Sequence, residues 1–144
     1  MENDFIKASR IEREKMDIIF KKYNVTDYVY SPDDGFDGWD GKYTNSKGEQ
    51  IIYEVKVREI ASDKYKEVIL NKSKVDNIVA MAKQENRIPF AFIFFNDNKV
   101  GIINLTEWWW FKQSTILVSK TTMGDQTKIN RKIYNIKIDK LINL

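Results

Sequence analysis

An α/β fold, more closely α+β, with a mixed, mainly antiparallel central sheet flanked by helices is predicted by three features of the sequence. Residues 51–58 alternate with period 2, apolar Ile51, Tyr53, Val55 and Val57 on one face and Ile52, Glu54, Lys56 and Arg58 on the other. Residues 3–23 and 64–86 carry apolar side chains at helical spacing. Residues 90–95 form a near-continuous apolar run, the pattern of a central strand covered on both faces.

In the first helix, Phe5, Ala8, Met16, Ile19 and Tyr23 share a stripe, with Ile11 and Ile18 at its edge. Glu12 falls in the middle of that stripe, where a carboxylate is costly unless it pairs with a lysine or binds a cation. A short strand at 28–30 leads into the turn cluster Ser31 to Gly35, and 39–44 is the next strand. Ser46, Lys47 and Gly48 suit a three-residue hairpin loop with Gly48 in the left-handed position. That loop pairs Asn45 with Glu49, and therefore Asp40 with Glu54. Opposed residues share a face with Cβ atoms about 5 Å apart, so Asp40, Glu54 and Lys56 converge on one patch. A loop one residue longer would turn Asp40 to the other face and make Asp37 the candidate.

The second helix has Val68, Val75, Ile78, Val79 and Ala82 as its stripe, carries Lys72 and Lys74, and stops at Pro89. The turn Asn96 to Lys99 joins 90–95 to a strand at 100–105. In the tail, Trp108 to Phe111 either cover the core or offer exposed stacking surface to bases or a partner chain. Lys120, Lys128, Arg131 and Lys132, with Thr121 and Thr122 between them, either contact phosphates or form a solvated loop before a last strand at 133–138.

Composition narrows the chemistry. With 42 % apolar residues, the 144-residue chain has enough to bury one core and reads as a single domain, 1–144. It has no apolar run of membrane length and no apolar leader, which points to a cytoplasmic protein with no membrane partner. Zero Cys and zero His exclude thiolate and imidazole nucleophiles, bases and zinc ligands. Hydrolysis would then rest on carboxylates, lysines and an oxygen-liking cation, Mg²⁺ or Mn²⁺. A net charge of +3 permits a nucleic-acid partner.

The order helix, strands, Asp40 at a strand, then Glu54, Val55 and Lys56, then a helix and a buried strand resembles the PD-(D/E)XK nuclease superfamily. It is most similar to small Holliday-junction-resolvase-like and phage- or mobile-element-encoded members. The resemblance covers about residues 2–105 and leaves 106–144 as a family-specific extension; no proline precedes Asp40. It implies a restriction-endonuclease-like core and a metal-dependent DNA endonuclease, with branched or structured DNA as a substrate and room for a homodimer. Asp40, Glu54 and Lys56 would be catalytic. Asp40, Glu54, Glu12 and the carbonyl of Val55 would hold Mg²⁺ or Mn²⁺, and Arg58, Lys74 and Lys72 would contact phosphates. The alternative is a catalytically inactive DNA-binding or interaction module on the same fold.

Overall fold

The computed structural model describes residues 4–32, 38–119 and 127–144. Asp37, Lys120, Thr121 and Thr122 lie outside the described residues. In chain order the elements are α1 (Asp4–Lys22), β1 (Tyr28–Tyr30), β2 (Gly41–Thr44), β3 (Gln50–Val57), β4 (Val68–Asn71), α2 (Lys72–Glu85), β5 (Ile88–Phe94) and β6 (Lys99–Asn104). A single 3₁₀ turn (Trp108–Trp110), β7 (Lys112–Ser119), β8 (Lys128–Ile136) and β9 (Lys140–Asn143) follow. Six strands form one sheet in the order β1-β2-β3-β5-β6-β9, and β4-β8-β7 form a second. In the large sheet β3 and β5 run parallel and the other neighbours antiparallel. Parallel neighbours need a crossover, and α2 is that crossover. None of the described helices is long and apolar enough to cross a membrane.

The large sheet is covered on both faces. On one, α1 sets Met16, Ile19 and Phe20 against Ile51, Tyr53, Val55, Phe92, Phe94 and Val100. On the other, α2 sets Val75, Ile78, Val79 and Ala82 against Ile52, Ala91, Ile93 and Ile103. Phe20, rather than Tyr23, completes the buried stripe of α1, because the helix ends at Lys22 and Tyr23 lies past its last turn. Ile18 is also exposed.

The hairpin behaves as its sequence predicts. Gly48 adopts φ +79°, its N–H donates to the Asn45 carbonyl, and Asn45 pairs with Glu49. The register that follows sets Thr44 opposite Gln50 and Gly41 opposite Tyr53. Regular pairing stops there, not at residue 39, because the Asp40 N–H already donates to the Tyr53 carbonyl.

The expected helix over 64–86 is shorter. Residues 68–71 form β4, and the helix begins at Lys72, where the Asn71 side chain caps the Ser73 N–H. Val68 and Ile69 gain more by pairing with β8, which no local pattern reveals. The helix ends at Asn86, whose left-handed φ of 56° closes the last turn. Pro89 is therefore not its stop but a residue of β5, opposite Ile52. The tail is also more ordered than expected: β7 pairs along β8, which starts at Lys128 rather than 133, and β9 closes the edge beside β6. Trp108 and Phe111 pack on the core, while Trp109 and Trp110 are exposed.

Among the described glycines, Gly41 has the least room for a side chain. A Cβ there would lie 2.1 Å from the Tyr53 hydroxyl oxygen and 2.3 Å from Cζ of a ring locked in the core. Gly41→Ala is therefore expected to destabilise the protein by about 1–3 kcal/mol. Urea denaturation should show this as a lower midpoint at unchanged m.

Candidate active site

Because β2 leaves the ladder at Gly41 while β5 follows β3 to Val57, residues 54–57 have no strand on one edge among the described residues. The side chain of Asp40 takes over the first open position: its Oδ2 accepts the Val55 N–H at 2.6 Å. The gap widens into a cleft of about 500 Å³. Glu12 of α1, Asp40, Glu54 and Lys56 of β3, Arg58 and Lys74 of α2 all line it, with the backbone of Val55 beside them. The hairpin brings Asp40 in just past its last pair, where it bonds to β3 at Val55 instead of pairing with Glu54. Strand alternation sets Lys56 beside Glu54, and each helix turns one charged residue into the opening.

Lys72 does not join them. It pairs with Asp76 at 2.6 Å and lies 5.3 Å from the Tyr134 ring centroid, on the side facing β8. Val57 departs from the expected core position; at 39 % exposure it lines the cleft where β2 no longer covers β3. Trp39 and Asn77 also line the cleft and had no place in the sequence argument. Asn77 follows Lys74 by three residues on α2, a spacing that puts both on one helix face. Trp39 adjoins Asp40 and lies 4.2 Å, centroid to Nζ, from Lys42.

The electrostatics follow from burial. Glu54 is only 4 % exposed and its Oε1 has no hydrogen-bond partner. Burial drives its carboxyl above the usual carboxylate range, Lys56 opposes this, and Asp40 adds to it. Asp40 is raised by burial as well, with the Val55 N–H and the Lys56 and Lys74 ammoniums pulling back. Glu12 is pushed up to about 7, chiefly by burial and next by the charge of Asp40. Burial lowers Lys56, Glu54 resists, and the adjacent Lys74 lowers it further.

Among the described residues, no three Asp, Glu, His or Cys side chains are gathered closely enough to hold a metal ion as they stand. The donor chemistry nonetheless fits a hard cation. All the acidic groups present oxygen, and Glu54 Oε1 is a buried acceptor with nothing to accept from.

No protein-family model matches the chain, and no curated protein matches it significantly. Among solved structures it is similar to Hjc, a Holliday junction resolvase from the archaeal hyperthermophile Archaeoglobus fulgidus. The TM-score is 0.55 and the identity 14 %, over 91 % of this chain and 92 % of that one. The likeness bears out the mixed, restriction-endonuclease-like α+β fold, and with it the resemblance to PD-(D/E)XK proteins as a resemblance of fold.

Glu12 makes stability pH-dependent. With a pKa raised from 4.5 to about 7, the folded protein keeps a proton that the unfolded chain has released. Metal-free protein should therefore lose stability as pH rises from 4.5 to 7 and level off above. Glu12→Gln removes that loss. In chelator at alkaline pH the variant is expected to be more stable than wild type by ~1–3 kcal/mol, and near pH 5 equal to it, in thermal melts.

Proposed function

We propose that this chain is a metal-dependent DNA endonuclease that hydrolyses phosphodiester bonds, with branched or structured DNA as its substrate. The observation that carries the reading is the unpartnered Glu54 Oε1 at a cleft lined by three further carboxylates, Glu12, Asp40 and Glu59, and three cations. A protein gains nothing from burying an unsatisfied carboxylate unless a ligand uses it. The fold shared with a Holliday junction resolvase supports DNA as the ligand.

Asp40, Glu54 and Glu12, with the Val55 carbonyl, are the oxygen donors that would hold Mg²⁺ or Mn²⁺. When bound, such an ion lowers the pKa of a coordinated water and offsets charge on the phosphate. Lys56, held below the ordinary lysine value, can take a proton from the attacking water as an amine or stabilise the transition state as an ammonium. Arg58 and Lys74 line the cleft and suit the phosphates flanking the cut. Arg58 is braced by a 3.0 Å bond from Nη2 to the Ile69 carbonyl, which fixes its guanidinium relative to β4. Symmetric cutting of two strands calls for two copies of the chain.

Glu54→Ala, Asp40→Asn and Lys56→Ala should each lower Mg²⁺- or Mn²⁺-dependent cleavage of four-way-junction DNA by about 10²-fold or more. Their stabilities should diverge. Glu54→Ala removes a buried, unsatisfied charge and is expected to melt above wild type in chelator. Asp40→Asn keeps an acceptor for the Val55 N–H, whereas Asp40→Ala leaves that donor orphaned at about 1–3 kcal/mol. Lys56→Ala should still bind metal and DNA and fail at the chemical step. Wild-type protein that binds junction DNA and cuts no linear, nicked or branched DNA with Mn²⁺ would make the chain a binding module.

A further inference from the structure

The β7–β8 hairpin reaches beyond the sheet that anchors it. β4 pairs with β8 only over Ile133 to Ile136, whereas β7 pairs with β8 from Lys112–Asn135 out to Ser119–Lys128. Residues 115–119 and 128–132 are thus a two-stranded ribbon with no third strand among the described residues. Alternation gives it two unlike faces. Ile116, Val118, Ile129 and Ile133 lie on the half-covered or buried face. Thr115, Leu117, Lys128, Asn130 and Lys132 lie on the exposed one, with Leu117 66 % exposed at its centre.

The charge is one-sided. Every charged residue in 112–119 and 127–138 is a cation: Lys112, Lys128, Arg131, Lys132 and Lys137. Within these described strand residues there is no acidic side chain to offset the lysines across the ladder.

The root of the ribbon is tied to α2. Tyr134 shares the alternation of Lys132 and Lys128, and its hydroxyl donates to Asp76 of α2 at 2.6 Å. Asp76 also takes the Lys72 ammonium, so the root of the ribbon is clamped to the first turns of α2. Two residues after Lys72, the same helix places Lys74 in the cleft. Beyond that clamp the exposed face of the ribbon carries Lys132 and Lys128. Those two lysines are roughly 14 Å apart along the strand, about the rise of four base pairs.

We infer that the 115–119/128–132 ribbon is a second contact surface for double-stranded DNA. It grips the duplex outside the cleft, with Lys128 and Lys132 on phosphates and Thr115, Asn130 and Leu117 toward a groove. A two-stranded ribbon matches the width of the major groove, about 12 Å. Lys to phosphate and Thr or Asn to groove edges are the pairings such a face offers. The surface deepens the nuclease reading by naming a duplex arm as part of the substrate, yet its binding role needs no catalysis.

The test compares wild type, Lys128→Ala/Lys132→Ala and Glu54→Ala on a labelled linear duplex in chelator across a salt series, alongside Mn²⁺-dependent cleavage of junction DNA. Loss of two phosphate contacts should weaken the double variant about tenfold and reduce the slope of log K against log salt by about 2. Glu54→Ala should keep the wild-type slope and lose cleavage. Independently of any variant, duplex DNA should protect Lys128 and Lys132 of wild type from amine acetylation. An unchanged slope together with unprotected lysines overturns the ribbon, while junction cleavage by wild type in the same experiment leaves the nuclease reading standing. Protection and a reduced slope without any cleavage support the ribbon and end the nuclease reading.

Discussion

The structure depends on where β2 lets go of β3. Gly41 opposite Tyr53 is the last pair, since the Asp40 N–H turns to the Tyr53 carbonyl and its carboxylate takes the Val55 N–H. Had the ladder run on, a neighbouring strand would cover the edge of residues 54–57 and no cleft would exist. Had it ended without Asp40, the Val55 N–H would be a buried orphan costing about as much as a lost hydrogen bond. One carboxylate thus closes the sheet and opens the site. Its second oxygen is left for other work.

The site is a local reversal of the rules that build the rest of the molecule. Both faces of β3 are apolar and buried up to Tyr53 and Val55, and this double cover puts Glu54 in a low-dielectric setting. Its neighbours offset the cost only in part. Lys56 lies two residues along the same strand and Lys74 approaches from α2, while Asp40 works against them. The large core on either side of the sheet supplies the surplus that tolerates such a group. Arg58 adds a mechanical link, since its N–H bonds the Phe94 carbonyl and its guanidinium the Ile69 carbonyl. The end of β3 is thereby held to both sheets.

Much of the cleft was legible because it rests on local geometry. A three-residue turn with glycine in the left-handed position sets the register up to Gly41 opposite Tyr53. Asp40 follows just past that last pair, its side chain on the Val55 N–H rather than opposite Glu54, and alternation along β3 adds Lys56. Glu12 was legible as an anomaly in an apolar stripe, and the structure turns it into the cleft. What local pattern could not show were the pairings between distant segments. β4 was hidden in a helical stripe because Val68, Ile69 and Leu70 satisfy either period, and only β8, more than 60 residues away, decides the matter. The cap at Asn71 was the overlooked signal, since Asn two residues before Ser favours a helix start there. β7 went unread for a similar reason: Thr115, Ile116 and Val118 favour a strand, but a strand needs a partner. Only the inner part of β8, within the expected strand at 133–138, was legible, while 128–132 looked like a loop.

The pairing of Lys56 with Lys74 bears on which role a lysine can fill here. The two side chains lie within hydrogen-bonding reach, and the neighbouring Lys74 adds to the burial that disfavours the charge of Lys56. Burial weighs most on the Lys56 ammonium and holds it below the ordinary lysine range, while Glu54 opposes the shift. A phosphate entering the cleft changes that balance. On the proposed reading, that negative charge would favour both ammoniums and offset the burial that weighs on Lys56. Base and electrostatic stabiliser would then be successive states of one side chain rather than competing assignments. Asp40 and Glu54 keep that state accessible, because without their charge the lowered lysine would stay neutral beside Lys74 and Arg58.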